Sequence, residues 1–201
     1  MMERKGRLFA VADRVADLIL LGLVWSVTAV PLLTLGTSCT ALYYAVSKSV
    51  RFGEGKPLKE YFRAWKENVL QGCVATSIFL TVAVLLMVDG WIMRGKAVFW
   101  IILFLMLFLT VTGIYFFPVL SRFRVTVKQC FQVSMVMAVS HIFGTCLLLV
   151  TLFLCGLVFL IYPFLLPALA ASYAFYTTFV LEKIFRTYTG TQESGNGEWY
   201  V

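Results

Sequence analysis

The chain contains one stretch, Gln129 to Leu181, of 53 residues in which His141 is the only conventionally ionisable side chain. A bilayer core needs roughly 20 apolar residues per helical crossing, so this run is about twice what one span can use and must fold back on itself. Proline removes a backbone donor and starts helices better than it continues them, which places the reversal at Tyr162-Pro163, close to Pro167. Three further charge-free stretches precede it, and the whole reads as a multi-pass integral membrane protein.

Composition excludes a soluble fold. Of the 201 residues, 61% are hydrophobic, with a mean hydropathy of +0.89, too few polar atoms to cover a solvated surface. The net charge of +7 does not indicate nucleic acid, because the basic residues sit at the ends of apolar segments. Cys39, Cys73, Cys130, Cys146 and Cys155 lie in or beside those segments, without Cys-x-x-Cys or ligand-spaced histidine, and read as packing residues. The basic N-terminus followed by Leu8-Phe-Ala-Val is interrupted by Asp13, Arg14 and Asp17, so a retained first span is expected rather than a signal peptide.

Leu18 to Ser47 is 30 residues without a charge, too long for one upright helix, with Pro31-Leu-Leu-Thr-Leu-Gly36 at its middle. Cytoplasmic flanks collect Lys and Arg. A single crossing here leaves eleven of the 17 inside, whereas a reversal at Pro31 to Gly36 puts fifteen inside and two outside. The expectation is therefore the reversal, with both termini cytoplasmic. The fold class is all-α, a polytopic membrane bundle of five to six membrane helices near 8–30, 37–50, 69–88, 97–121, 141–161 and 163–185, forming a single domain over 1–188. The 37–50 segment is short for a full crossing and fits a re-entrant half-helix. Residues 189–201 are polar and glycine-rich, and read as a flexible tail.

Two segments are amphipathic. Over 57–68, Leu58, Tyr61, Phe62 and Trp65 recur at helical spacing opposite Lys59, Glu60, Arg63, Lys66 and Glu67, as an interfacial helix does on an anionic leaflet. A weaker copy runs from Val125 to Ala138, with Val127, Phe131, Met135 and Ala138 on its apolar side. The order of helix, basic joint, amphipathic segment and span thus occurs over both 37–88 and 97–161, as an internal repeat would have it.

No Asp, Glu, Lys or Arg falls within the apolar core of a predicted span, which argues against proton relays and ion sites. No catalytic, cofactor-binding or metal-ligating pattern stands out, and the expectation is not an enzyme, with no cofactor. His141 stands alone at the start of a span. Polarity concentrates at Thr28, Thr34, Thr37, Ser38 and Thr40. Beside a broken helix, Pro31, Thr34, Gly36 and Thr37 either hold a neutral polar ligand such as a sugar, or cap helix ends and satisfy freed carbonyls. Tyr61, Phe62, Trp65 and Arg122 are candidates for a cytoplasmic interface.

Trp25, Pro31-Leu-Leu-Thr34-Leu-Gly36-Thr, Ala41-Leu42, Tyr61-Phe62-x-x-Trp65-Lys66-x-Asn68, and Phe117-Pro118 near Arg122-Phe123 together resemble the YesL family, small bacterial membrane proteins with a domain of unknown function. Thr37-Ser38 after Gly36 departs from the Pro or Ala more usual there. The resemblance implies a location in the bacterial cytoplasmic membrane and an accessory role in carbohydrate uptake or its sensing. Its implied partners are ABC-transporter permease or sensor-kinase components. The alternative is a small carrier or channel for neutral polar solutes. No binding residues are carried over.

Overall fold

The computed structural model describes residues 2–123 and 126–189, and the expected tail beyond Thr189 lies outside them. Seven α-helices follow in order: α1 (Met2–Thr28), α2 (Leu35–Ala45), α3 (Pro57–Ile92), α4 (Val98–Arg122), α5 (Val127–Ser140), α6 (Ile142–Ile161) and α7 (Leu166–Thr189). No strand occurs among the described residues. Among the described residues, four helical stretches are long and apolar enough to cross a membrane, Pro57–Ile92, Val98–Arg122, Ile142–Ile161 and Pro163–Phe185. The chain is thus a multi-pass helical membrane protein. The expected five to six spans differ from these four at α1 and α2: Asp13, Arg14 and Asp17 interrupt α1, and α2 is short.

The chain turns at residues 29–34. Thr34 Oγ1 donates to the carbonyls of Thr28, at 2.7 Å, and Pro31, at 2.8 Å, so the carbonyls freed at the end of α1 find a partner inside the turn. The return helix α2 runs on without interruption through a π-helical segment, Val46–Arg51, and the 17 residues from Leu35 to Arg51 reach about 25 Å at about 1.5 Å per residue. Every position from Thr40 to Ser47 is buried, because α1, α3, α4 and α7 all pack on α2. This short helix is the centre of the bundle.

Small residues bring the backbones together, as expected where hydrocarbon solvent supplies no hydrophobic drive between helices. A Cβ on Gly36 would lie 2.2 Å from Thr76 Oγ1, and one on Gly72 would lie 2.3 Å from Thr37 Oγ1. Gly36-x-x-x-Thr40 thus faces Gly72-x-x-x-Thr76. The Gly36 amide donates to Thr76 Oγ1 at 3.1 Å, while Thr40 and Thr76 each donate back to the glycine carbonyl four residues earlier. Gly22 does the same for α1, where a Cβ would meet the Pro167 carbonyl oxygen at 2.1 Å.

Residues 57–92 form one unbroken helix of 36 residues, about 54 Å long. The interfacial helix expected over 57–68 is therefore not a separate element but the end of a span that overshoots a hydrocarbon core about 30 Å thick. Its orientation also differs. Glu60, Tyr61, Ala64 and Asn68 are buried, whereas Leu58 and Phe62 remain exposed. In α5 the inward stripe is Cys130, Ser134, Met137 and Ala138, with Phe131 and Met135 outside, rotated from the side the apolar pattern indicated.

A corner at His141 separates α5 from α6. Thr145 Oγ1 donates to the Ala138 carbonyl at 2.9 Å and meets Tyr115 Oη at 2.8 Å, which fixes the corner to α4. The proposed repeat is accordingly unequal: its first copy runs straight through α3, while its second breaks into α5 and α6. The reversal within the long charge-free run falls at Tyr162 and a 3-10 turn, Pro163–Leu165, at the proline that the sequence marks for it.

Candidate functional site

Residues four apart on a helix share a face. In Tyr43-Tyr44-Ala45-Val46-Ser47-Lys48 this rule makes two neighbouring faces, Tyr43 with Ser47 and Tyr44 with Lys48, and each addresses a different buried carboxylate.

The first is Glu182 on α7, only 1% exposed. Ser47 Oγ donates to its Oε1 at 3.1 Å, and Tyr43 Oη at 3.4 Å, while Arg122 Nη2 of α4 stands 3.7 Å from Oε2. Glu182 lies one residue past the charge-free run that ends at Leu181, where nothing in the spacing singles it out. The second is Glu60 on α3, 6% exposed. Lys48 Nζ lies 3.2 Å from its Oε2 and Arg63 Nη2 2.5 Å from the same oxygen. Arg63 Nη2 also donates to Tyr44 Oη at 2.6 Å. Gly55, at φ +79, leaves room for this carboxylate, since a Cβ there would lie 2.9 Å from Glu60 Oε1. Arg51 completes the cluster by donating to the Thr178 carbonyl, with its guanidinium 4.6 Å from the centre of the Phe179 ring.

Buried charges persist only when paired and hydrogen-bonded. The arrangement meets that condition and ties the last turns of α2 to α3, α4 and α7 together. With Glu60 held by Lys48 and Arg63 and Glu182 by Arg122, the cluster fastens these helices electrostatically. Among the described residues no group of three or more His, Cys, Asp or Glu is placed to hold a metal.

The residues around the first turn are also engaged within the protein. Pro31 is exposed; Thr34 caps the turn; Gly36 is closed over by Thr76 and Phe117; Thr37 Oγ1 faces the Val69 carbonyl at 3.5 Å. Of the interface candidates, Tyr61 is fully buried with Oη 2.5 Å from Thr28 Oγ1, Trp65 is half-buried against the same core, Phe62 is exposed, and Arg122 pairs with Glu182. Tyr61 meets Phe62 edge to face, with ring centroids 5.6 Å apart, and shares a packed cluster with Trp65.

Beyond α2 lies an apolar cavity of about 560 Å³, bordered by Trp25, Cys39, Gly113, Phe117, Gly156 and Tyr173. A second, of about 930 Å³, is a groove between α3, α4 and α5. Neither is lined by a carboxylate.

No curated protein and no solved structure matches the chain. Residues 18–90 do match a family model; the match takes in all of α2 with Lys48, Arg51, Glu60 and Arg63, and leaves Phe117-Pro118, Arg122 and Glu182 outside. That model is described as a protein of unknown function, DUF624, the domain family to which YesL proteins belong.

Proposed function

We propose that this chain is a non-enzymatic accessory or interaction subunit of the bacterial cytoplasmic membrane, with both termini inside, linked to carbohydrate uptake or sensing through ABC-transporter permease or sensor-kinase components. The observation that carries the reading is the internal use of polarity around α2. Its two buried carboxylates are neutralised by Lys48, Arg63 and Arg122, and the Thr40 and Ser47 hydroxyls bond within the bundle. A catalyst or carrier holds such groups toward a cavity. The cavity beside α2 is instead lined almost wholly by apolar surface. The bias of fifteen of 17 basic residues to one side supports the orientation. The YesL resemblance supports the carbohydrate link.

The alternative, a small carrier for neutral polar solutes, draws on the break at Pro31 to Gly36. Close packing of Gly36 on Thr76 and of Thr37 on Gly72 weighs against it. The test is affinity capture of the tagged full-length chain from gently solubilised membranes. Recovery of a permease or sensor-kinase subunit is expected. Repeated recovery of neither, combined with uptake of a labelled sugar by reconstituted vesicles, overturns the accessory reading in favour of a carrier.

A further inference from the structure

The groove between α3, α4 and α5 has an unusual distribution of polarity. Along α3 it runs over residues 74–86 and along α4 over 105–116, all of it apolar. Twelve helical steps are about 18 Å, close to half of a hydrocarbon core roughly 30 Å thick, the depth of one leaflet. Its polar lining, Lys128 and Gln132, sits on α5.

The position of Lys128 along the groove follows from how α5 is attached. Cys130 Sγ donates to the Phe116 carbonyl at 3.3 Å, and Val127 packs on the core around Phe116. Lys128 therefore stands at the Phe116 end, where α4 finishes at Arg122, and not at the Leu86 end. Lys128 is exposed and has no ion pair among the described residues. A cation at the head of an apolar channel one leaflet deep matches an anionic phospholipid, with phosphate at the lysine and an acyl chain along α3 and α4.

We propose that this groove is a specific site for one anionic phospholipid of the bilayer, held by Lys128. The outer face of α6 is the internal reference, since Ile142–Ile161 is equally apolar but carries no charge at all. Ordinary boundary lipid should favour neither face. The proposal does not depend on the accessory role or on which side of the membrane is which.

The test reconstitutes the full chain in phosphatidylglycerol–phosphatidylcholine vesicles holding a photoactivatable phosphatidylglycerol with the reactive group in its acyl chain. The phosphatidylcholine analogue is run in parallel. Labelling of peptides from 74–86 and 105–116 by the anionic probe should exceed that by the neutral probe roughly fivefold, the effect of one basic residue at a charged interface. Lys128→Gln should abolish the preference and Lys128→Arg keep it. Met135→Trp, projecting from the exposed wall of the groove, should lower labelling there with α6 labelling unchanged. Equal labelling by both probes, labelling spread evenly over α6 and the groove, or an unaltered preference in Lys128→Gln would overturn the proposal.

Discussion

Arg122 Nη2 lies 3.7 Å from Glu182 Oε2, and the carboxylate so neutralised accepts hydrogen bonds from Tyr43 and Ser47 on the central helix. The pair joins α4 to α7 across the bundle core, with α2 caught between them. Its two members lie at the ends of apolar runs, where charge normally just marks the membrane boundary.

Removing one partner of a buried pair strands the other charge, at a cost of about 3–5 kcal/mol. Glu182→Ala should therefore lower the melting temperature in detergent sharply, while Arg122→Met with Glu182→Leu should recover most of the loss. A double variant no more stable than the single one would show that the pair fastens nothing.

Backbone contact between α2 and α3 leaves no space for a methyl group. Gly36→Val and Gly72→Val should each destabilise the fold by roughly 1–3 kcal/mol or more through overpacking, read as lost monodisperse protein on size exclusion. Gly156→Ala should be silent, because nothing lies within 4 Å of its Cβ. Wild-type behaviour of both valine variants would contradict the packing.

Cys130 lies on α5, outside the four apolar spans, and burial pushes its thiol up from 9.0 to about 12. Below pH 9 both folded and unfolded chains keep the proton, so the thiol adds no pH dependence. Between about 9 and 12 the unfolded chain ionises first, and stability should fall as pH rises. Cys130→Ala should flatten that alkaline slope. At neutral pH a membrane-permeant maleimide should spare buried Cys130 until denaturant is added.

Topology is checked by single cysteines in a cysteine-free background, in intact cells. Gly36 and Gly55 are poor sites, as their Cβ atoms would collide with neighbours; Leu33, Lys56 and Lys96 serve instead. Leu33 and Lys96 should react with an impermeant reagent and Lys56 should be shielded. Reaction at Lys56 from outside would reverse the proposed orientation.

Much of the architecture is legible along the chain. Pro31 and Pro163 mark two of the reversals, and the charge-free runs anticipate α4, α6 and α7. The faces of α3 and α5 were not legible, because in a lipid-facing helix apolar residues occupy the outside as readily as the inside. Tyr61 and Phe62 read alike in the sequence, yet one is fully buried and the other exposed. The spacing of Gly72 and Thr76 was a readable signal for a close helix pair, shared with Gly36 and Thr40.

The sequence by itself determined that this chain is a bundle of membrane helices and where it turns, since in hydrocarbon each backbone group must be satisfied within its own helix and that requirement is local. Only the tertiary structure decided that α2 is central and that Glu182 and Glu60 are buried against it. Those facts depend on contacts such as Tyr43 with Glu182, separated by 139 residues. Whether a flanking charge faces water or a partner is set by which helices meet, and neither composition nor periodicity along one segment carries that information.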